Sequence, residues 1–135
     1  MVKVIVGQKG SGKTKELIEA IQIAVEKESG DIVCIEKGES LRYDVSYRVR
    51  LVNANDYYIG SFLQLTGFIC GLHAGNFDIS HIFVDNLCKL LGEDSSEVVR
   101  FCQWCETFGE QNSLNFTISI SNDSESTHEA LHKYF

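Results

Sequence analysis

The sequence predicts an α/β domain, and three observations carry that reading. Short β-branched or apolar runs recur along the 135 residues, each separated from the next by an amphipathic segment or by turn residues. A hydrophobic fraction of 44% with 23% charge is that of a globular chain with one core, which sets disordered, collagen-like and coiled-coil readings aside. Strands that alternate with helices imply a mostly parallel sheet of about five strands, covered on both faces. A chain of this length is one domain's worth, 1–135.

The elements follow in order. Val2–Val6 is a β-branched run ending at Gly7, the pattern of a buried strand. Lys13–Glu28 reads as a helix, with Leu17, Ile18, Ile21, Ala24 and Val25 on one stripe and Gly30 placed as its C-terminal cap. Asp31–Glu36 is a second strand. Val45–Asn53 reads as a third, because Val45, Tyr47, Val49 and Leu51 alternate with Arg48 and Arg50. Ser61 through Gln64 forms a capping box that opens a largely apolar helix, stopping near Gly75 and Asn76. Gly67 and Gly71 within it are spaced for close packing of another helix. His81–Asp85 is a fourth strand. Asp94 through Glu97 opens a helix with Val98, Phe101, Cys102, Cys105 and Phe108 facing the core. Phe116–Ile120 is a fifth strand and Ser124–Tyr134 a closing helix.

Lys and Arg number 12 against 19 Asp and Glu, a net charge of −7. Such a chain repels phosphate backbones and anionic lipid, so nucleic acid and membrane are disfavoured as partners. The apolar stretch from Ser61 to Leu72 is broken by Gln64 and Thr66 and falls short of a membrane span. The run after Met1 is too short for a signal peptide. Five cysteines, an odd number spread over core-like segments, suit a reducing compartment, and a cytoplasmic location is expected. The chain has 11 glycines and no proline, so its turns rest on glycine and Asx residues.

One motif carries chemistry. Gly7, Gln8, Lys9, Gly10, Ser11, Gly12, Lys13 and Thr14 fit the pattern G-x-x-x-x-G-K-[ST] at every fixed position. The glycines let backbone N–H groups turn inward on phosphate oxygens. Lys13 supplies a catalytic cation between the outer phosphates, and the Thr14 hydroxyl is a ligand for Mg²⁺. The helix that follows directs its positive end at the same anion. A second metal-holding group is expected at the carboxyl end of a neighbouring buried strand, and Ile82-Phe83-Val84-Asp85 supplies it in Asp85.

These residues resemble the P-loop NTPase superfamily, with Walker A at 7–14 and Walker B at 82–85. With Cys34-Ile-Glu-Lys-Gly38 and Ala74-Gly-Asn-Phe-Asp78, the chain also resembles short stand-alone ATPases of Gram-positive bacteria, some labelled as twitching-motility ATPases. The resemblance implies a three-layer fold that binds a nucleoside triphosphate, ATP by default, with Mg²⁺. It implies a nucleotide-controlled binding module or slow ATPase with an unknown protein partner. The alternative is a kinase that transfers the γ-phosphoryl group to a small-molecule or nucleoside acceptor. Many hydrolysing members carry Glu directly after the Walker B Asp, whereas this chain has Asn86, an amide that takes no proton from water. Glu36 at the end of the second strand is the substitute general base, set against the plainer reading of a solvated loop carboxylate. A guanine clamp of the N-K-x-D type is missing, since Asn53-Ala-Asn-Asp56 lacks the lysine. In the additional-strand branch of the superfamily, the strand after Walker B inserts between the two Walker strands. That placement would make Ser121 or Asn122 a γ-phosphate sensor.

Two further signals have plain and functional readings. Three of the four arginines, Arg42, Arg48 and Arg50, are interleaved with Tyr43 and Tyr47, as a phosphate clamp, a base-stacking surface or simply a solvated face. Cys102 and Cys105 have redox or zinc spacing, with His128 and His132 downstream. Their place in mid-helix on the apolar stripe reads as core packing.

Overall fold

Five strands, all parallel, form one sheet in the spatial order β1-β5-β4-β2-β3. They are β1 (Val2–Val6), β2 (Asp31–Glu36), β3 (Val49–Asn53), β4 (Ile79–Val84) and β5 (Asn115–Ile120). The computed structural model describes residues 1–7, 12–92, 94–121 and 125–135. Parallel neighbours need crossovers, and α1 (Lys13–Lys27), α2 (Phe62–Gly75), α3 (Leu87–Leu91) and α4 (Ser95–Asn112) lie in them. A last helix, α5 (Glu125–Leu131), continues into a 3-10 turn over His132–Tyr134.

The two faces of the sheet build two cores. Alternation sends Val33, Ile35, Ile82 and Val84 toward α2, α4 and α5, where they meet Leu65, Ile69, Val98, Phe101 and Leu131. Ile5, Ile32, Cys34 and Phe83 point the other way, toward Leu17, Ile21 and Ala24 of α1. The molecule is therefore a three-layer α/β structure with a large core on one side and a smaller one on the other. Cys102 and Cys105 sit in the larger core, as their helical spacing predicts. Burial pushes the Cys102 thiol up to about 12 and that of Cys105 well above its ordinary value.

β5 has a mixed character. Phe116, Ile118 and Ile120 join the large core, so Thr117, Ser119 and Ser121 form a hydroxyl stripe on the opposite face, toward α1. Buried hydroxyls need partners, and the stripe finds them. Thr117 Oγ1 lies 2.8 Å from His81 Nε2, whose Nδ1 lies 2.7 Å from Glu28 Oε2, just beyond α1. Ser121 Oγ accepts from Lys13 Nζ, at the start of α1. Both ends of α1 are thus tied to β5 through polar side chains.

Several local expectations are corrected. The third strand begins at Val49, and residues 45–48 lie outside it, with a turn at Tyr47 and Arg48. The alternation of Val45 and Tyr47 has no strand partner there, and Tyr47 is 97% exposed. Gly30 is no left-handed cap, since α1 is closed by Glu28 in an extended conformation. Its requirement is steric: a Cβ there would lie 2.5 Å from Ser80 Cβ and 2.7 Å from the Asp78 carbonyl. Gly67 and Gly71 receive no helix, because a Cβ at either has open space. The short helix α3 was not foreseen. Asn86 turns the chain with a φ of 52° and starts it. The capping residues hold: Ser61 Oγ accepts from Gln64 N, and Asp94 accepts from Ser96 N.

Candidate functional site

At the carboxyl edge of the sheet, β1 runs into Gly7, whose N–H donates to Ile120 O at 3.2 Å. Gln8, Lys9, Gly10 and Ser11 lie outside the described residues, as does Asn122. The chain re-enters at Gly12, the N-cap of α1, with φ +90°. Space is not what glycine supplies here, since a Cβ would meet nothing within 4 Å. The left-handed backbone is what an L side chain resists. Lys13 then opens the helix and is buried at 8% exposure, its ammonium donating to Ser121 Oγ. Thr14 follows with an exposed side chain, so its hydroxyl is open to a ligand at the helix N-terminus.

The acid expected on the fourth strand follows it directly. The Asp85 N–H donates to Ile35 O at 2.9 Å, which extends the β4–β2 ladder by one step. Its Oδ1 accepts from Ser119 Oγ at 3.1 Å, and the same hydroxyl accepts from Asn86 N at 2.7 Å. Ser119 is fully buried, so these are its local bonds, and one proton and one lone pair of a single hydroxyl set both Asp85 and the turn after it. The Oδ1 of Asn86 is buried and has no hydrogen-bond partner among the described residues.

The register explains the convergence. Val6 pairs with Ile120 and Val84 with Ile118, which brings Gly7 level with Ser121 and Asp85 level with Ser119. Because β5 lies between β1 and β4, one strand holds the Lys13 ammonium at Ser121 and the Asp85 carboxylate at Ser119. These hydroxyls are two residues apart on one face, a separation of about 7 Å. A cation and an acid held that far apart, at the edge where parallel sheets bind ligands, leave room for a charged group between them.

The donor set fits Mg²⁺ in one manner. Among the described residues no group of three or more His, Cys, Asp or Glu side chains is arranged to hold a metal. Mg²⁺ bound to a nucleotide needs no such cage: it keeps several waters and takes phosphate oxygens with one or two protein ligands. Thr14 and Asp85 offer side chains of the type that would serve.

Glu36 is not the solvated loop carboxylate of the plainer reading, being buried at 2% exposure. Its Oε1 accepts from Ser40 N at 3.1 Å and Ser40 Oγ at 2.8 Å, and Oε2 accepts from Leu41 N at 3.2 Å. The carboxylate shapes the loop between β2 and β3 and seats Leu41 in the smaller core. Of the arginines, Arg42 pairs with Glu39 at 3.3 Å and stacks over Tyr43. Arg48 lies in the turn before β3, and Arg50 on β3 itself. Ser121 stands among the sequence candidates, whereas Ser119 is the residue that pattern reading passes over. The signal was present, as hydroxyls at every second position of an otherwise apolar strand.

All five cysteines are free, and among the described residues no helix is long and apolar enough to cross a membrane. No protein-family model matches the chain, and no curated protein matches it either.

Proposed function

We propose that this protein binds a nucleoside triphosphate, ATP in first place, together with Mg²⁺, and works as a nucleotide-controlled binding module or slow ATPase. The observation that carries the reading is the convergence of Lys13 and Asp85 on β5, beside a glycine-framed strand-to-helix turn that fits the phosphate-loop pattern. Lys13 neutralises phosphate charge, Thr14 and Asp85 hold the metal, and the N-terminus of α1 adds its dipole. When bound, Mg²⁺ would supply positive charge to offset that of the phosphates.

Ser121 takes the sensor role. Its hydroxyl takes one of the three N–H donors of the Lys13 ammonium and orients the others toward a γ-phosphate, so triphosphate and diphosphate leave Lys13 differently bonded. Slow turnover follows from the residue after Asp85. Asn86 cannot act as a base, and Glu36 is committed to Ser40 and Leu41.

The test is nucleotide binding with Mg²⁺ across ATP, GTP and ADP, followed by a hydrolysis time course. Lys13→Ala is expected to weaken ATP binding by about tenfold to a hundredfold, the loss of charge-assisted bonds to phosphate. Unchanged affinity in that variant overturns the reading. Phosphate released without an acceptor marks an ATPase, ADP formed only with an added acceptor marks phosphoryl transfer, and binding with neither marks a switch.

A further inference from the structure

A second concavity opens on the same edge of the sheet, at the carboxyl ends of β2 and β3. It measures about 160 Å³, and its walls include Arg50, Leu51, Asn53, Asp56 and Tyr57. That volume is the share of roughly five water molecules. The rim is held in place by Asn53, whose Oδ1 accepts from Gly38 N at 2.9 Å and Asn55 N at 3.0 Å. Glu36 is itself part of the pocket wall, but its carboxylate is engaged by Ser40 and Leu41 and offers no free charge to a ligand.

Two of the five charged residues on this wall are uncommitted. Arg42 and Glu39, also on the pocket wall, neutralise each other at 3.3 Å. Arg50 and Asp56 line the same space, and among the described residues neither side chain has an ion-pair or hydrogen-bond partner, including each other. A purely anionic ligand would meet Asp56 and Glu39, and a purely cationic one would meet Arg50 and Arg42. A molecule carrying both signs satisfies the rim. Leu51 and the half-exposed Tyr57 ring give its remaining atoms an apolar wall.

We propose that this pocket binds a small zwitterion of the free amino-acid class. Arg50 takes the carboxylate through the guanidinium fork, Asp56 takes the ammonium, and the side chain rests on Leu51 and Tyr57. The site is separate from the phosphate-loop reading and does not depend on it.

The probes are L-leucine, isocaproate, which lacks the ammonium, and isoamylamine, which lacks the carboxylate. Amide NMR spectra of the full chain are recorded through each titration. Leucine is expected to give saturable shifts at Gly38, Asn53 and Tyr57, with a Kd of about 1 mM for so small a ligand. The two single-charge probes are expected to bind about fivefold more weakly. Arg50→Gln removes the advantage of leucine over isoamylamine, and Asp56→Asn removes its advantage over isocaproate. Both positions are exposed, so an unchanged melting temperature confirms that the variants fold. Lys13→Ala leaves leucine binding intact. The proposal is overturned by the lack of a saturable shift up to about 10 mM leucine. Equal affinities for the three probes, or loss of binding in Lys13→Ala, overturn it as well.

Discussion

Lys13 and Ser121 are separated by 108 positions in the chain, yet the ammonium of the first donates to the hydroxyl of the second. That contact joins the first helical residue of α1 to the end of β5, and it places a buried cation at the ligand edge of the sheet. Ser121→Ala removes the acceptor that orients Lys13. The expected result is a threefold to tenfold loss of ATP affinity, the scale of one charge-assisted bond. Ser121→Thr keeps the hydroxyl and is expected to restore binding. Calorimetric titration of the two variants with ATP and Mg²⁺ decides it.

Ser119 is expected to matter for both stability and metal dependence. Ser119→Ala leaves Asp85 Oδ1 and Asn86 N without their shared partner, which costs about 1–3 kcal/mol for groups withdrawn from water. Urea unfolding should show a lower midpoint with an unchanged slope. The gain in ATP affinity on adding Mg²⁺ should shrink in the same variant, because Asp85 is no longer oriented.

The pH dependence of stability follows from His81. Burial is the main influence on its imidazole, and it holds the pKa below the ordinary 6.5, although Glu28 pulls the other way. Below pH 6.5 the unfolded chain therefore takes up a proton that the folded chain resists, and stability falls with pH until the folded value is passed. Above 6.5 the contribution is fully present. Unfolding midpoints measured between neutrality and pH 5 should decline in the native chain, and His81→Gln should flatten that decline while lowering stability throughout.

Gly30 tests the packing of α1 against the strand ends. Gly30→Ala would drive a methyl group onto Ser80 Cβ and the Asp78 carbonyl, both closer than any real contact allows. Overpacking against backbone is expected to cost about 1–3 kcal/mol. Gly67→Ala, where a Cβ has open space and the helix gains propensity, is expected to stabilise by up to about 1 kcal/mol. Thermal melts of the two variants should move in opposite directions.

Much of this molecule was legible along the chain. The runs at Val2–Val6 and Asp31–Glu36 became strands with those same bounds, because a β-branched segment closed by a turn has few other ways to bury itself. Ser61 and Asp94 capped their helices for a local reason, since each side chain reaches an N–H two or three residues ahead. The glycine-rich motif after β1 is readable because its spacing is contained in eight consecutive residues, of which the structure describes Gly7, Gly12, Lys13 and Thr14. Val45–Arg48 misled because alternation alone does not supply a strand partner, and Glu36 instead gathers Ser40 and Leu41 into a loop.

The insertion of β5 between β1 and β4 is an arrangement that the resemblance offers only for one branch, and the tertiary structure decides it. Nothing local to Ser119 or Ser121 says that β5 will lie between β1 and β4. Only that insertion turns two serines of an apolar strand into the partners of Asp85 and Lys13. Likewise, Arg50 and Asp56 are simply charged residues until the end of β3 and the turn after it curve around one pocket. Local sequence sets which segments extend, coil and cap, because those energies are satisfied within a few residues. The meeting of polar groups across the sheet depends on burial of whole faces, which no single segment can achieve by itself.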